Sequence, residues 1–269
     1  MTKLAFIGAG RIAQAIIGGL INQGFVAANM TAADPDNRIL DSLQDGVQRS
    51  ADNLQAASGA DVVILCVKPN MTKSVVSDLA STLTGRLLIS VAAGIRASDL
   101  ATWSGGTTVI RCMPNTPALI RQGMVGLYSS DASTEQRTLA EELLSAVGST
   151  AWFESDDDLD KVTALSGSGP AYFFYLMEAM IDAGVALGIS EDASRALVLN
   201  TALGAAAMAV ESAESPSQLR ANVTSPGGTT EAALKVLASQ GLPANMNAAV
   251  RAAYHRAIEL GDNASPRST

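Results

Sequence analysis

The sequence predicts an α/β domain followed by an all-helical one, and three observations carry that prediction. Residues 3–24 read as a strand, a tight glycine turn and a helix. Strands and helices then alternate as far as Phe153, the pattern of a mostly parallel sheet covered by helices on both faces. Beyond Phe153 no stretch has strand character and helical spacing takes over. The expected fold class is a Rossmann-like, doubly wound N-terminal domain, residues 1–155, and an all-α C-terminal domain, residues 156–269.

The first turn organises the rest. Leu4, Ala5, Phe6 and Ile7 form a short apolar run, enough for one buried strand. Gly8-Ala9-Gly10 follows, and Ile12, Ile16, Ile17 and Leu20 then recur at helical spacing until Gly24 stops them. The turn reads G-x-G-x-x-A. Gly8 permits the bend, Gly10 has no side chain to hold a pyrophosphate off the backbone, and Ala13 lets the helix pack close to the strand. The helix start offers free N–H groups and a partial positive charge. An ordinary glycine turn is the plainer alternative. The strand-turn-helix context favours a dinucleotide, with Ile7, Gly8, Ala9, Gly10, Arg11 and Ile12 as candidate contacts.

A second strand, Met30 to Ala33, ends at Asp34-Pro35. Asp34 stands where an acid holds the ribose 2′-hydroxyl of NAD and repels a 2′-phosphate. Arg38, with Asn37, could instead pair with that phosphate, and a turn capping the next short helix is the third option. Asp61 to Val67 is a near-continuous apolar strand, as expected inside a parallel sheet. A helix follows over Thr72 to Leu83, a strand over Arg86 to Val91, a short helix over Ser98 to Trp103 and strands over Thr107 to Met113 and Met124 to Ser129. Ser133 with Gln136 makes a capping box for a helix running to Val147, and Thr150 to Phe153 is the last strand. Ligands of such sheets sit at the carboxyl ends of strands. Val67-Lys68-Pro69, Ala92-Ala93-Gly94 and Pro114-Asn115 all fall at such ends.

Asp156, Asp157 and Asp158 then read as a solvated helix start, favoured by the helix dipole. Leu159 to Leu187 is one long helical stretch interrupted at Ser166-Gly167-Ser168-Gly169-Pro170. Ser190 is a good N-cap for the next helix, which carries Ala202, Gly204, Ala205, Ala206, Ala207 and Ala209. A helix with so little polar face is buried against its own domain or another subunit. The limited interior of the C-terminal half favours another subunit. Ser225-Pro226-Gly227-Gly228-Thr229-Thr230 directly precedes a further helix. Exposed glycine amides and two hydroxyls there suit a carboxylate or small phosphate, although a Pro-Gly turn with a Thr cap reads equally well. A final helix over Ala244 to Leu260 and a disordered polar tail from Gly261 complete the expectation.

Composition narrows the partners. The net charge is -8 with no basic stripe, which argues against nucleic acid. No signal pattern precedes the first strand, and the weakly polar run Ala196 to Val210 reads as too short to span a bilayer. Cys66 and Cys112, the two cysteines, lie inside expected strands and read as buried structural thiols, which suits a reducing cytoplasm. His255 is the single histidine and reads as a surface residue. That leaves no His-based triad and no metal cluster.

Five segments in order carry a family likeness: Phe6-Ile7-Gly8-Ala9-Gly10, Val67-Lys68-Pro69, Arg111 to Ala118, Ser166 to Tyr172 and Ser225 to Thr230. Together, from Lys3 to about Leu260, the chain resembles 1-pyrroline-5-carboxylate reductase, the last enzyme of proline biosynthesis. The resemblance implies hydride transfer from NADPH or NADH to a cyclic imine, and an all-α dimerisation domain making a homodimer or a larger homo-oligomer. It implies dinucleotide contacts from the glycine turn, Asn53, Val67-Lys68-Pro69 and Ala92-Ala93-Gly94. It implies that Ser225, Gly227, Gly228, Thr229 and Thr230 hold the substrate carboxylate, with Thr230 hydrogen-bonded to the ring nitrogen as the catalytic candidate. The sequence departs from the family at Arg11, where Asn or Gln is usual, and at Asp34, where strongly NADPH-preferring members often carry Ser.

Two other readings stand beside it. A 3-hydroxyacid or 6-phosphogluconate type dehydrogenase generally needs a second-domain lysine as acid/base, and after Lys161 only Lys235 remains, inside an expected helix. A non-catalytic dinucleotide sensor would have no need of the Ser225–Thr230 loop.

Overall fold

The computed structural model describes residues 1–264 of the chain. The N-terminal half alternates as expected: β1 (Leu4–Ile7), α1 (Arg11–Asn22), β2 (Met30–Ala33), α2 (Asn37–Asp41), β3 (Gln48–Ser50), α3 (Asn53–Ser58), β4 (Val62–Leu65), α4 (Pro69–Leu83), β5 (Leu87–Ser90), α5 (Ala97–Trp103), β6 (Thr108–Met113), β7 (Gly123–Tyr128), α6 (Thr134–Leu144) and β8 (Gly148–Trp152). The sheet runs β3-β2-β1-β4-β5-β6-β7-β8. Every pair is parallel except β6 with β7.

Alternation along the strands sends side chains to opposite faces, and two cores result. Leu4, Phe6, Val62, Ile64, Leu87 and Ile89 face Ile16, Ile17 and Leu20 of α1 and Leu143 and Leu144 of α6. Ala5, Ile7, Val63, Leu65 and Leu88 face Ala57 of α3, Val76, Leu79 and Leu83 of α4 and Leu100 of α5. Helices on both faces make the sheet doubly wound. The chain leaves β1 toward β2 and β3 and then returns to the other side of β1 as β4, so the carboxyl ends of β1 and β4 flank the topological switch point.

Local chemistry sets the element ends. Gly24 (φ 91°) closes α1. The capping box at α6 is formed: Ser133 Oγ accepts Gln136 N–H at 3.3 Å and Gln136 Oε1 accepts Ser133 N–H at 3.0 Å. Close packing also demands glycine within α1, since a Cβ on Gly19 would stand 2.2 Å from the Ala146 carbonyl oxygen.

The second half is helical: α7 (Asp158–Val162), a π turn (Thr163–Gly167), α8 (Gly169–Ala186), α9 (Glu191–Glu211), α10 (Pro216–Asn222), α11 (Thr229–Ser239) and α12 (Leu242–Ala264). Ser190 caps α9 by accepting Ala193 N–H at 3.3 Å. The chain divides into two compact units, one comprising Met1–Ser168 with Ala253 onward, the other Gly169–Ala252. In the second unit α8 and α9 pack closely where Gly184 meets Ser194. Much of their apolar surface stays open nonetheless: Phe173, Phe174, Tyr175, Leu203 and Val210 are all more than 60% exposed.

Several expectations are corrected. The strand before Lys68 ends at Leu65, so Cys66 lies just beyond it and is half-buried, while Cys112 is fully buried in β6. Burial pushes the Cys66 thiol up to about 12 and raises the Cys112 thiol further, which keeps both protonated. Short, polar β3 was not expected, nor were α3 and α10. Helix α4 begins at Pro69 rather than Thr72, because proline suits the first helical position. The Ser166–Pro170 interruption is a π turn continuing into α8. Helix α12 runs through Gly261 to Ala264; the rest of the expected disordered tail lies outside the described residues. Helix α9 spans 21 residues and is long and apolar enough, by length and composition, to cross a membrane. The reading of that run as too short therefore fails.

The acidic run is the largest correction. Asp156 forms an ion pair with Arg111 of β6, the two side chains being 14% and 7% exposed. Its second oxygen accepts Ala97 N–H at the start of α5 at 2.9 Å. Asp157 pairs with Arg96 at 3.0 Å. Asp158 accepts Ser155 N–H at 3.1 Å and pairs with Lys161 at 2.6 Å. The run thus clamps the segment after β8 to β6 and α5, and the dipole of α7 is a minor influence.

Candidate functional site

The glycine turn sits at the switch point. Gly8 adopts φ 88°, and a Cβ there would lie 2.9 Å from the Cys66 carbonyl oxygen, so only glycine fits between β1 and the exit of β4. Gly8 N–H donates to the Ala33 carbonyl at 2.9 Å and Cys66 N–H to the Ile7 carbonyl at 2.7 Å, stitching the ends of β2, β1 and β4 together. Ile7 and Ala9 are fully buried. Gly10 is the N-cap of α1 and no side chain caps that helix. Nothing lies within 4 Å of where a Gly10 Cβ would be. An open cradle over an uncapped helix start is the donor set a pyrophosphate requires, so these residues fit a dinucleotide.

The other candidates distribute as follows. Arg11 is exposed and Ile12 half-buried. Arg11 lines a cleft of about 420 Å³ with Gln14, Ser42, Gln44 and Leu119. Asn53 is the first residue of α3, whose N-cap is Asp52. Val67 is half-buried at the exit of β4, Lys68 is the N-cap of α4 and Pro69 its first residue. Ala92 is buried and Ala93 exposed. Gly94, at φ 74°, packs against Gly261 of α12. Asn115 donates to Ser166 Oγ at 3.2 Å and accepts Met124 N–H at 2.9 Å, which docks the π turn at the carboxyl end of β6.

Asp34 and Arg38 differ from a simple choice between two cofactors. One Asp34 oxygen accepts Ala9 N–H at 3.0 Å, and the other accepts Asp36 N–H at 2.9 Å. The carboxylate is therefore tied to the glycine turn itself. Asp36, rather than Asp34, caps α2. Asp36 also holds the Arg38 guanidinium through two contacts of 3.0 and 2.7 Å, and that hydrogen-bonded partner lowers the Asp36 carboxyl below its ordinary range and raises Arg38.

In the helical unit, Ser225-Pro226-Gly227-Gly228 is a tight turn closed by Gly228 N–H donating to the Ser225 carbonyl at 3.0 Å. Proline at the second position and Gly227 at φ 72° mark it as type II. Gly228 is the N-cap of α11 and no side chain caps the helix. Gly227 N–H donates to Glu231 Oε2 at 2.8 Å. Two sequence expectations change here. Both glycine amides are already engaged, and neither threonine is the cap. Thr229 and Thr230 stand in the first turn of α11 as residues one and two.

Sequence reasoning gave no contact to Ser166, Glu231 or the Arg111–Asp156 pair. A Glu four residues after Gly227 was visible but resembled an ordinary helix acid. The other two depend on partners 45 and 51 residues away.

Fold and turn together define the class: a dinucleotide-dependent oxidoreductase with a helical second unit. Residues 3–94 match the family described as NADP oxidoreductase, coenzyme F420-dependent, and residues 156–260 match pyrroline-5-carboxylate reductase dimerisation. The chain belongs to the pyrroline-5-carboxylate reductase family. It is 47% identical to the pyrroline-5-carboxylate reductase of Pseudomonas aeruginosa, covering 97% of each chain. It is 44% identical to that of Vibrio alginolyticus, covering 96% of this chain and 97% of the relative. Among solved structures, the Coxiella burnetii pyrroline-5-carboxylate reductase aligns with a TM-score of 0.93 at 41% identity, over 96% of this chain and 98% of that one. The Plasmodium falciparum pyrroline carboxylate reductase, solved with NADP bound, aligns with a TM-score of 0.85 at 28% identity, over 97% and 98%. The match over residues 156–260 also accounts for the open apolar surface of α8 and α9: the chain associates with copies of itself.

Proposed function

We propose that this chain reduces 1-pyrroline-5-carboxylate to L-proline, the last step of proline biosynthesis, with NADPH or NADH. The bound nicotinamide supplies a hydride to the carbon of the ring C=N. The imine arrives protonated from water, so its nitrogen keeps that proton and becomes a secondary amine. No strong protein acid is required. What the chain contributes is position.

The functional division follows: residues 1–155 hold the dinucleotide and residues 156–269 hold the substrate and the partner subunit. The dinucleotide contacts are Ile7 to Ile12, Asp34, Asn53, Val67, Lys68, Pro69, Ala92, Ala93, Gly94 and Asn115. Ser225, Gly227, Gly228, Thr229 and Thr230 form the substrate loop, with Thr230 as the hydrogen-bond partner of the ring nitrogen. The observation that carries this reading is the pair of threonines at the uncapped start of α11. Their hydroxyls have no hydrogen-bond role in the chain among the described residues, which leaves them for a ligand. The homo-oligomer is a dimer or a multiple of it, working in the cytoplasm with no nucleic-acid or membrane partner.

Steady-state rates on 1-pyrroline-5-carboxylate with each cofactor test the reading. Cofactor oxidation that depends on substrate is expected with both. A folded, dimeric protein that oxidises neither would refute it.

A further inference from the structure

The loop assigned to the substrate already holds a carboxylate of the chain's own. Glu231, third residue of α11, reaches back one turn and accepts Gly227 N–H at 2.8 Å. Its other oxygen lies 3.2 Å from Lys235 Nζ, one turn further along. Gly228 N–H is taken by Ser225. Among the described residues, the polar side chains of the loop left without a partner in the chain are the hydroxyls of Ser225, Thr229 and Thr230, beside the uncapped first amides of α11.

In a capping box a Glu at the third helical position reaches back to the N-cap N–H; here the Gly228 N–H is taken by Ser225, and Glu231 reaches one residue further, to Gly227. The N-cap hydroxyl of a capping box is absent too, because Gly228 stands there. Two adjacent glycines give a chain its widest conformational freedom, and ordering them has an entropic cost. A tie from Gly227 to Glu231 closes residues 227–231 into a ring and removes that freedom before any ligand arrives. Lys235 offsets the charge of Glu231, so an incoming carboxylate does not face an unpaired like charge.

Resting on the substrate reading above, we propose that Glu231 is a positioning residue. It fixes Gly227 so that the ring presents Thr229 and Thr230, and the substrate carboxylate is received at the threonine end of the loop. The Gly227 amide stays with Glu231 throughout. This chain's loop is thus preorganised by an internal acid, and its affinity for the substrate depends on that acid.

The test uses the full-length protein and three measurements on wild type, Glu231→Ala and Glu231→Gln: amide hydrogen exchange at Gly227, kcat and KM for 1-pyrroline-5-carboxylate, and the melting temperature. Glu231→Ala should speed exchange at Gly227 and raise KM for the imine about three- to tenfold while kcat stays within about twofold. Glu231→Gln keeps an acceptor on the same stem and should recover most of the wild-type KM. Wild-type KM in Glu231→Ala overturns the proposal. So does a Gln variant as impaired as the Ala variant, since charge and not the Gly227 bond would then be at work. Unchanged exchange at Gly227 in Glu231→Ala overturns the tie itself. Absence of turnover in the wild type would refute the functional reading, and the exchange measurement still reports on the tie in that case.

Discussion

Asp156→Asn should be among the most destabilising single changes at a polar position in this chain. The Arg111 and Asp156 side chains are 7% and 14% exposed, so solvent screens their attraction little. Removing the negative charge leaves the buried Arg111 guanidinium without its ion-pair partner, which costs about 3–5 kcal/mol in buried pairs. Asparagine has one acceptor oxygen. It can keep the Ala97 N–H bond or face Arg111, but not both. Nearby Asp160 also lies in the field of Arg111, so we take the lower end, about 3 kcal/mol. At about 2–4 °C per kcal/mol for a chain of this size, the melting temperature should fall by about 6–12 °C. Thermal melts at one fixed protein concentration measure it, because association also moves the midpoint. The double variant Arg111→Met with Asp156→Leu removes both charges of the pair and should be more stable than either single change. An Asp156→Asn protein melting within about 2 °C of wild type, or a double variant that loses the sum of both singles, would refute the clamp.

Four further outcomes are expected. Thr230→Ala should lower turnover at saturating substrate about tenfold to a hundredfold at an unchanged melting temperature, and Thr230→Ser should retain much of it; equal turnover in wild type and Thr230→Ala would leave the imine to backbone groups alone. Asp34→Ser should raise the ratio of kcat/KM for NADPH over NADH, since it removes a charge that repels the 2′-phosphate, and an unmoved ratio would make Asp34 only the tie to Ala9. Ala206→Glu, placed on the exposed small-residue face of α9, should shift sedimentation toward the monomer, and an unchanged dimer would put the interface elsewhere. Asp160 is 7% exposed and burial raises its pKa above 3.8 despite nearby Arg111 and Arg96. The folded state therefore binds this proton more tightly, and stability falls as pH rises through the folded value. Asp160→Asn should be more stable than wild type at pH 7, with the difference vanishing below the unfolded value, and a difference independent of pH would sink the assignment.

What was legible in the sequence is what local pattern determines. The run Leu4–Ile7, the glycine turn and the spacing of Ile16, Ile17 and Leu20 specify strand, turn and helix because each choice agrees with its neighbours. The Ser133–Gln136 box was readable for the same reason. Strand β3 was not, because Gln48-Arg49-Ser50 is a polar edge segment of 3 residues that becomes a strand only beside β2. The acidic run misled because three aspartates in a row look solvated until Arg111 and Arg96 are brought to them by the fold. The candidate site shows the same split. Residue types at the turn and in the Ser225–Thr230 loop could be named, but the hydrogen bonds that commit Asp34 to Ala9 and Gly227 to Glu231 arise only once the backbone is folded.

Helix α12 begins in the helical unit and ends in the other, where Ala257 is buried and Gly261 meets Gly94. In the order of the gene, the helical unit is therefore an insertion and not an appendage. The unit that carries the sheet is laid down through Ser168 and completed only from Ala253. Domains usually fold from the N-terminus while synthesis proceeds, yet this one is not complete until the segment from Ala253 has followed the helical insertion. A stop or a proteolytic cut after Ser168 would release an N-terminal fragment lacking its final helical turns, and the Gly94 stretch would be left without its cover.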